Sequence, residues 1–165
     1  MKRIIAVMLV LIALALSACV PQSAQPSKPV PPGPAAAPTF QLEDLRGEKW
    51  SLEDLRGEVT VLYFWMTGCP ACIAKLPELA ELQKNLPVDV NLLLINHGDA
   101  VKSVREKVGK FPGLNVLLDG QDVFSLYGIR SVPTTVFITK DGRISQGYIG
   151  LLPNKEILKI VSELR

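Results

Sequence analysis

The sequence predicts an α/β fold: a mixed central sheet flanked by helices, with an extra hairpin on its N-terminal side. Three observations carry that expectation. From residue 59 the chain reads Val-Thr-Val-Leu-Tyr-Phe-Trp, a continuous apolar, β-branched and aromatic run of the kind buried on both faces beneath helices. The run passes through a short turn into a helical stretch, and further strand-like and helix-like segments alternate after it, which is the pattern of parallel crossover units. Asp141-Gly142, set between two strand-like runs at 134–139 and 143–148, is a strong hairpin signal.

Taken in order, Leu42-Glu43-Asp44-Leu45-Arg46-Gly47-Glu48 recurs as Leu52-Glu53-Asp54-Leu55-Arg56-Gly57-Glu58. One repetition is too little for a solenoid. The first copy reads as a strand and a tight turn at Gly47, paired back through Lys49 to Ser51. The second reads as a short helical turn opened by Ser51 and ended by Gly57. The charges of both copies read as solvated faces. Pro70 suits a first helical position, where its missing N–H costs nothing. That helix covers 70–86, and Pro77 inside it should bend it by removing one hydrogen bond and crowding the preceding turn. Residues 88–95 read as a second buried strand. Asp99 reads as the cap of a helix reaching Val108, with Val101, Val104 and Val108 on one face. A short strand at 115–118, a short helix at 122–127, the hairpin and an amphipathic helix at 152–164 complete the chain. The middle is parallel and the end antiparallel.

The first 38 residues are of another kind. Lys2-Arg3 precedes an uncharged apolar run from Ile4 to Leu16, too short for a typical spanning helix and within the range of a signal-peptide core. It ends in Leu16-Ser17-Ala18-Cys19, which resembles the bacterial lipobox. By that resemblance residues 1–18 are a lipoprotein signal peptide, and the chain is cut before Cys19, whose sulfur and amino group carry acyl chains. Residues 19–38 are then the lipidated cysteine and a Pro-rich tether, and 39–165 the folded domain. An ordinary signal peptide with a nearby cysteine is the alternative. Three cysteines leave an exported chain with one thiol over, and lipidating Cys19 leaves one pair. Each buried methylene contributes roughly 0.8 kcal/mol, so several acyl chains anchor stably. Val20 is not the Asp of an inner-membrane retention signal. The expected location is extracytoplasmic, anchored by lipid to the outer face of the cell membrane or in the periplasm. Between Val20 and Pro38 lie seven prolines and a single charge, Lys28. Such a segment favours extended polyproline II and, at roughly 3.1 Å per residue, reaches about 60 Å.

The whole chain has 165 residues, 48% of them hydrophobic, enough for one domain with a sizeable core. Its formal charge is +2; without Lys2 and Arg3 the basic residues fall from 18 to 16 and equal the 16 acidic ones. With no basic stripe and no basic-aromatic interleaving, no nucleic-acid partner is expected. The domain is expected to act as a monomer.

The chemistry gathers at Cys69-Pro70-Ala71-Cys72. A cysteine opening a helix lies near unpaired N–H groups and the positive end of the helix dipole, and both favour the reactive thiolate. A second cysteine three residues on is placed to attack the first once that is tied up in a mixed disulfide. Pro70 and Ala71 bring no charge. A bare Cys-x-x-Cys also describes half a zinc site or an inert structural disulfide, although one histidine and no second such pair make a four-ligand zinc site hard to build.

Strand, Trp65, Cys69-Pro70-Ala71-Cys72 and helix together resemble the active-site segment of the thioredoxin superfamily, and most closely the membrane-tethered TlpA/ResA-type thiol-disulfide oxidoreductases. The resemblance covers residues 39–165. It implies a thioredoxin-like fold, Cys69 as nucleophile, Cys72 as the more buried resolving thiol, and no cofactor beyond the redox-active pair. Gly128-Ile129-Arg130-Ser131-Val132-Pro133-Thr134 is similar to the superfamily's second signature. By that likeness Pro133 is cis and packs against the cysteines, and Val132 offers backbone groups to an extended substrate segment. The implied role is exchange with protein thiols or disulfides in redox homeostasis outside the cytoplasm, as a reductase, supplied by a membrane thiol donor of the kind such relatives use.

Three positions depart from the family pattern. Gly68 stands where many relatives have Trp, Tyr63 where thioredoxins often bury an Asp, and Lys75 where cytochrome c maturation reductases often have a Glu. The acids are thought to move the buried thiol's proton, so their absence leaves the proton path and a cytochrome c role open. A cationic Lys75 near the sulfurs would favour the reduced form; the plainer reading pairs it with Glu78. His97, the single histidine, is a candidate proton shuttle or an exposed loop residue before Asp99. Trp65 is read as core, close enough to the pair to report its redox state. Two other functions are weighed. One is a Cu(I)-binding or metallochaperone module on the same cysteines, since soft thiolates select that ion; no other metal site is indicated. The other is a peroxiredoxin-like peroxidase, for which Met66-Thr67-Gly68-Cys69 is one residue out of step with Thr-x-x-Cys.

Overall fold

A computed structural model describes residues 35–119 and 122–165. Among them the strands are β1 (Gln41–Asp44), β2 (Lys49–Ser51), β3 (Val59–Trp65), β4 (Val90–His97), β5 (Asn115–Asp119), β6 (Thr134–Ile138) and β7 (Ile144–Ile149). The helices are α1 (Pro70–Asn85), α2 (Val101–Val108), α3 (Asp122–Leu126) and α4 (Asn154–Leu164), with a 3-10 turn at Glu53–Leu55. One sheet runs in the order β2-β1-β5-β4-β3-β6-β7. Its centre, β3, β4 and β5, is parallel. The N-terminal hairpin docks antiparallel through β1 on β5, and β6 and β7 extend the other side antiparallel. This is the expected thioredoxin-like mixed sheet with its extra hairpin.

Every residue of β3 is buried, and period-two alternation divides them between two cores. Val59, Val61, Tyr63 and Trp65 pack with Cys72, Leu76 and Leu79 of α1 and with Ile157, Ile160 and Val161 of α4. Leu62 and Phe64 face the other way, onto Phe40, Leu52, Leu55, Val123 and Phe124. Two covered faces are the physical reason for the unbroken apolar run. At about 1.5–3 kcal/mol per fully buried large apolar side chain, this strand anchors the domain and fixes where the turn after Trp65 emerges.

The repeated heptapeptide folds in two ways, as the flanking residues suggested. Asp44, however, is buried, where a solvated charge was expected. Its carboxylate accepts the Arg46 and Glu48 N–H groups at 2.7 and 3.0 Å, closing the turn in which Gly47 has φ 85°. In the second copy Ser51 Oγ accepts from the Asp54 N–H at 3.3 Å, Glu53, Asp54 and Arg56 stay exposed, and Glu58 is half-buried.

Other boundaries move. β4 begins and ends two residues later than read, so His97 is its last residue. The first helix residue of α2 is Val101, and Ala100 at its cap makes no side-chain bond. Asp99 therefore does not cap α2, because its carboxylate is engaged elsewhere. Residues 35–38, read as the end of the tether, already pack on the domain. The Ala37 N–H donates to Gly142 O at 3.0 Å, the Ile144 N–H to Ala35 O at 2.8 Å, and Tyr127 Oη to Pro38 O at 2.8 Å. Small alanines let this backbone pair with the β6–β7 turn, an arrangement that leaves no hydrophobic periodicity to read. The signal peptide, Cys19 and the tether as far as residue 34 lie outside the described residues. No helix among those described is long and apolar enough to cross a membrane.

Candidate active site

β3 delivers the chain to the carboxyl edge of the parallel strands, where open α/β sheets place their sites. Met66-Thr67-Gly68 turns it into α1, with the Cys69 N–H on Met66 O at 3.2 Å. Cys69 is the helix cap, in extended conformation (φ −96°, ψ 107°), and Pro70 takes the first helical position. Cys69 and Cys72 are joined as a disulfide with their Cα atoms 5.2 Å apart. The Cys72 N–H donates to Cys69 Sγ at 3.1 Å, so an otherwise unpaired helix-start donor is aimed at the outer sulfur. Cys69 is partly exposed and Cys72 fully buried.

The Val132–Pro133 bond is cis. Val132 O lies 3.8 Å from Cys69 Sγ, which is bonded to Cys72 and has no hydrogen to donate. The Gly150 N–H holds Pro133 O at 2.7 Å, tying the loop before α4 to the same rim. The sequence-read residues Cys69, Cys72, Val132 and Pro133 thus converge on one edge.

The three candidate modulators part company. Trp65 is fully buried in the core that holds Cys72. Lys75 is buried too, its side chain 4% exposed, and its Nζ meets Glu78 Oε2 at 2.5 Å, the pairing expected from their spacing. His97 stacks edge-on against Phe124, with ring centroids 4.3 Å apart. With Met66, Phe124, Arg130 and Val132 it lines a cavity of about 150 Å³ on the Val132 side, so it is half-buried and not a free loop residue.

Asp99 is the part of the site that sequence reasoning missed. Its Oδ2 accepts the Thr67 N–H at 2.6 Å and Asn96 Nδ2 at 2.9 Å, while the Asp99 N–H donates to Asn96 Oδ1 at 3.1 Å. This clasp fixes the turn two residues before Cys69. Burial pulls the carboxyl upward, but the bonds from Thr67 and Asn96 and the neighbouring His97 outweigh it and hold it below its usual range. The only signal was a short polar run, Asn96-His97-Gly98-Asp99, at the end of a buried strand, and helix-cap chemistry explained Asp99 equally well.

Residues 34–146, more than half of the chain, match the AhpC/TSA family. The chain belongs to that family. The thioredoxin-like protein YneN of Bacillus subtilis is 31% identical over 128 residues, covering 73% of this chain and 74% of its own. The thiol-disulfide oxidoreductase ResA of Geobacillus thermodenitrificans is 30% identical over 138 residues, covering 79% and 77%. Among solved structures, the exposed lipoprotein thioredoxin Etrx1 of Streptococcus pneumoniae superposes with a TM-score of 0.71 at 27% identity, covering 77% of this chain and all of that one. A thioredoxin of Neisseria meningitidis gives 0.71 at 28% identity, covering 79% and 90%. The chain is a thioredoxin-like thiol-disulfide oxidoreductase, and the resemblance read from the cysteine motif holds. These likenesses favour disulfide exchange over Cu(I) carriage. Among the described residues no group of three or more His, Cys, Asp or Glu side chains is placed so as to hold a metal ion.

Proposed function

We propose that this chain exchanges disulfides with protein partners outside the cytoplasm, with Cys69 as nucleophile and Cys72 as resolving thiol. The observation that carries the reading is the asymmetry of the pair: a partly exposed sulfur at the helix start that accepts a backbone N–H, bonded to a sulfur with no exposure. A partner segment laid along Val132 would pair with its backbone as an added strand does, and Pro133 holds that edge beside Cys69. The direction we propose is reduction of partner disulfides, fed by a membrane thiol donor. Pro70 and Ala71 support it, since neither places a charge between the sulfurs to stabilise a thiolate and make the pair strongly oxidising.

Placement follows from Leu16-Ser17-Ala18-Cys19: cleavage before Cys19, acylation there, and a Pro-rich tether, making the chain a lipid-anchored monomer on the outer side of the membrane. The lipoprotein thioredoxin of S. pneumoniae gives that reading a precedent. Metabolic labelling with a radioactive fatty acid tests the anchor: label on the wild-type chain and none on Cys19→Ala is expected, and an unlabelled wild-type chain removes it. Insulin reduction and glutathione equilibration test the chemistry and its direction. A pair that equilibrates near strongly oxidising couples would reverse the proposed direction while leaving the exchange intact.

A further inference from the structure

Lys75 is a buried titratable group that the exchange scheme leaves unused. It sits three residues after Cys72 on α1, and neighbours at that spacing lie on one helix face, about 5–6 Å apart at Cβ. Its side chain is 4% exposed. The face of β3 under α1 presents two more polar groups, Tyr63 Oη and Trp65 Nε1, both buried and without a hydrogen-bond partner. A buried donor left unpaired is costly, and two on one strand face ask for an acceptor. Both residues belong to the core that also holds Cys72, whose sulfur, closed in the disulfide, offers no anion to receive them.

We propose that Lys75, with Tyr63 and Trp65 beside it, is the cationic and hydrogen-bonding cradle that receives the charge of Cys72 when the disulfide opens. The inference rests on the exchange reading but not on its direction. When a partner thiolate attacks Cys69 Sγ, a new S–S bond forms there and the Cys69–Cys72 bond breaks, its electron pair leaving on Cys72 Sγ. A second partner thiolate then attacks its own sulfur in the mixed disulfide and releases Cys69 as thiolate. Two electrons pass from two partner thiols to the pair, and the thiol protons go to solvent and to the cysteines. In reverse, the Cys72 thiolate is the attacking group. A nearby ammonium therefore eases the same sulfur as leaving group and as nucleophile.

Glu78 tempers the effect. It holds Lys75 Nζ at 2.5 Å beside a cavity of about 240 Å³ lined also by Ala74, Leu151, Leu152 and Pro153, none of which is charged. Glu78 from α1, and Tyr63 from β3, whose hydroxyl feels the Glu78 charge, are titratable groups set around this ion pair. Lys75 is a positioning residue: it acts through Cys72 and touches no partner.

The test is residue-resolved iodoacetamide labelling of Cys72 against pH in the full mature Cys69→Ser chain, combined with Lys75→Met, Lys75→Arg or Glu78→Gln. An opposite charge within a few ångströms moves a thiol by about one pH unit or more. Lys75→Met is expected to raise the Cys72 midpoint by about that much, so that labelling below the midpoint slows about tenfold. Lys75→Arg should keep the wild-type midpoint, and Glu78→Gln should lower it. In the intact pair above both midpoints, Lys75→Met should cost about tenfold in the glutathione equilibrium, about 30 mV toward a more reducing pair. An unchanged midpoint in Lys75→Met, or an equal rise in Lys75→Arg, would assign Lys75 to packing and overturn the proposal. Loss of insulin reduction by the unmodified pair would instead remove the exchange reading and leave the Cys72 titration interpretable.

Discussion

Cys69 and Cys72 share a bond and lie three residues apart, yet their surroundings differ in nearly every respect. Cys69 stands outside the helix in extended conformation, partly exposed, with a backbone donor on its sulfur and the Val132 carbonyl opposite. Cys72 lies in the first helical turn at no exposure, against the β3 face that carries Tyr63 and Trp65, one turn ahead of a buried lysine. One helical turn is enough to sort two identical thiols, because the helix start offers unpaired N–H groups outward while the next residues on the inner face meet the sheet. The outer thiol is served by backbone and the inner one by side chains. Substitutions on the inner side are therefore the ones expected to tune the chemistry.

The largest effect that can break this comparison comes from the sulfurs. Cys69→Ser is expected to abolish insulin reduction altogether. Cys72→Ser should accumulate partners as mixed disulfides on Cys69, seen as reducible bands on non-reducing gels, since no internal thiol remains to release them. Partners caught only by Cys69→Ser would exchange the two roles.

The clasp before Cys69 comes next. Asp99→Ala removes a charged acceptor from the Thr67 N–H and should cost about 2 kcal/mol in urea unfolding, with slower exchange as the turn loosens. Asp99→Asn should fall between. The carboxyl is held below its ordinary 3.8, so its stabilising contribution is fully present above that value. It is lost as pH falls through the lowered folded-state pKa. Wild-type stability should therefore drop below pH 3.8 by an amount that Asp99→Ala no longer shows. Equal acid sensitivity in both chains would deny the clasp its role.

Much of this was legible beforehand. Continuous burial of β3, the helix start at Pro70 and the double reading of the repeated heptapeptide leave local signatures, because a turn, a cap or a two-sided strand constrains nearby residue types, whereas the cis bond before Thr134 was implied by the resemblance of residues 128–134 to the superfamily's second signature. Asp99 was not legible as a clasp, since its partner Thr67 is 32 residues away and its local sequence suits a helix cap as well. The burial of Lys75 was equally hidden: its spacing to Glu78 forecast the ion pair but not the depth at which it sits. Asp44 was misjudged for the same reason, because a turn that folds back on its own carboxylate has the composition of a solvated one.

A smaller effect sharpens the contrast from the outer side. A Cβ added at Gly68 meets nothing within 4 Å, so Gly68→Trp should fold with stability within about 0.5 kcal/mol of wild type. It should slow labelling of Cys69 several-fold by shading the exposed sulfur and leave Cys72 unchanged. The smallest effect is spectroscopic. Trp65 packs in the core that holds Cys72, and its fluorescence should change on reduction by glutathione. Lys75→Met should alter the size of that change, whereas Gly68→Arg should not.

The most direct test of the asymmetry is iodoacetamide labelling of the reduced wild-type chain at rising pH, with each cysteine followed separately by mass spectrometry. Cys69 is expected to label first, with a midpoint below the ordinary thiol value of about 8.5, and Cys72 only at higher pH and more slowly. Faster labelling of Cys72, or equal slow labelling of both near neutral pH, would contradict the division between an attacking outer sulfur and a sheltered inner one.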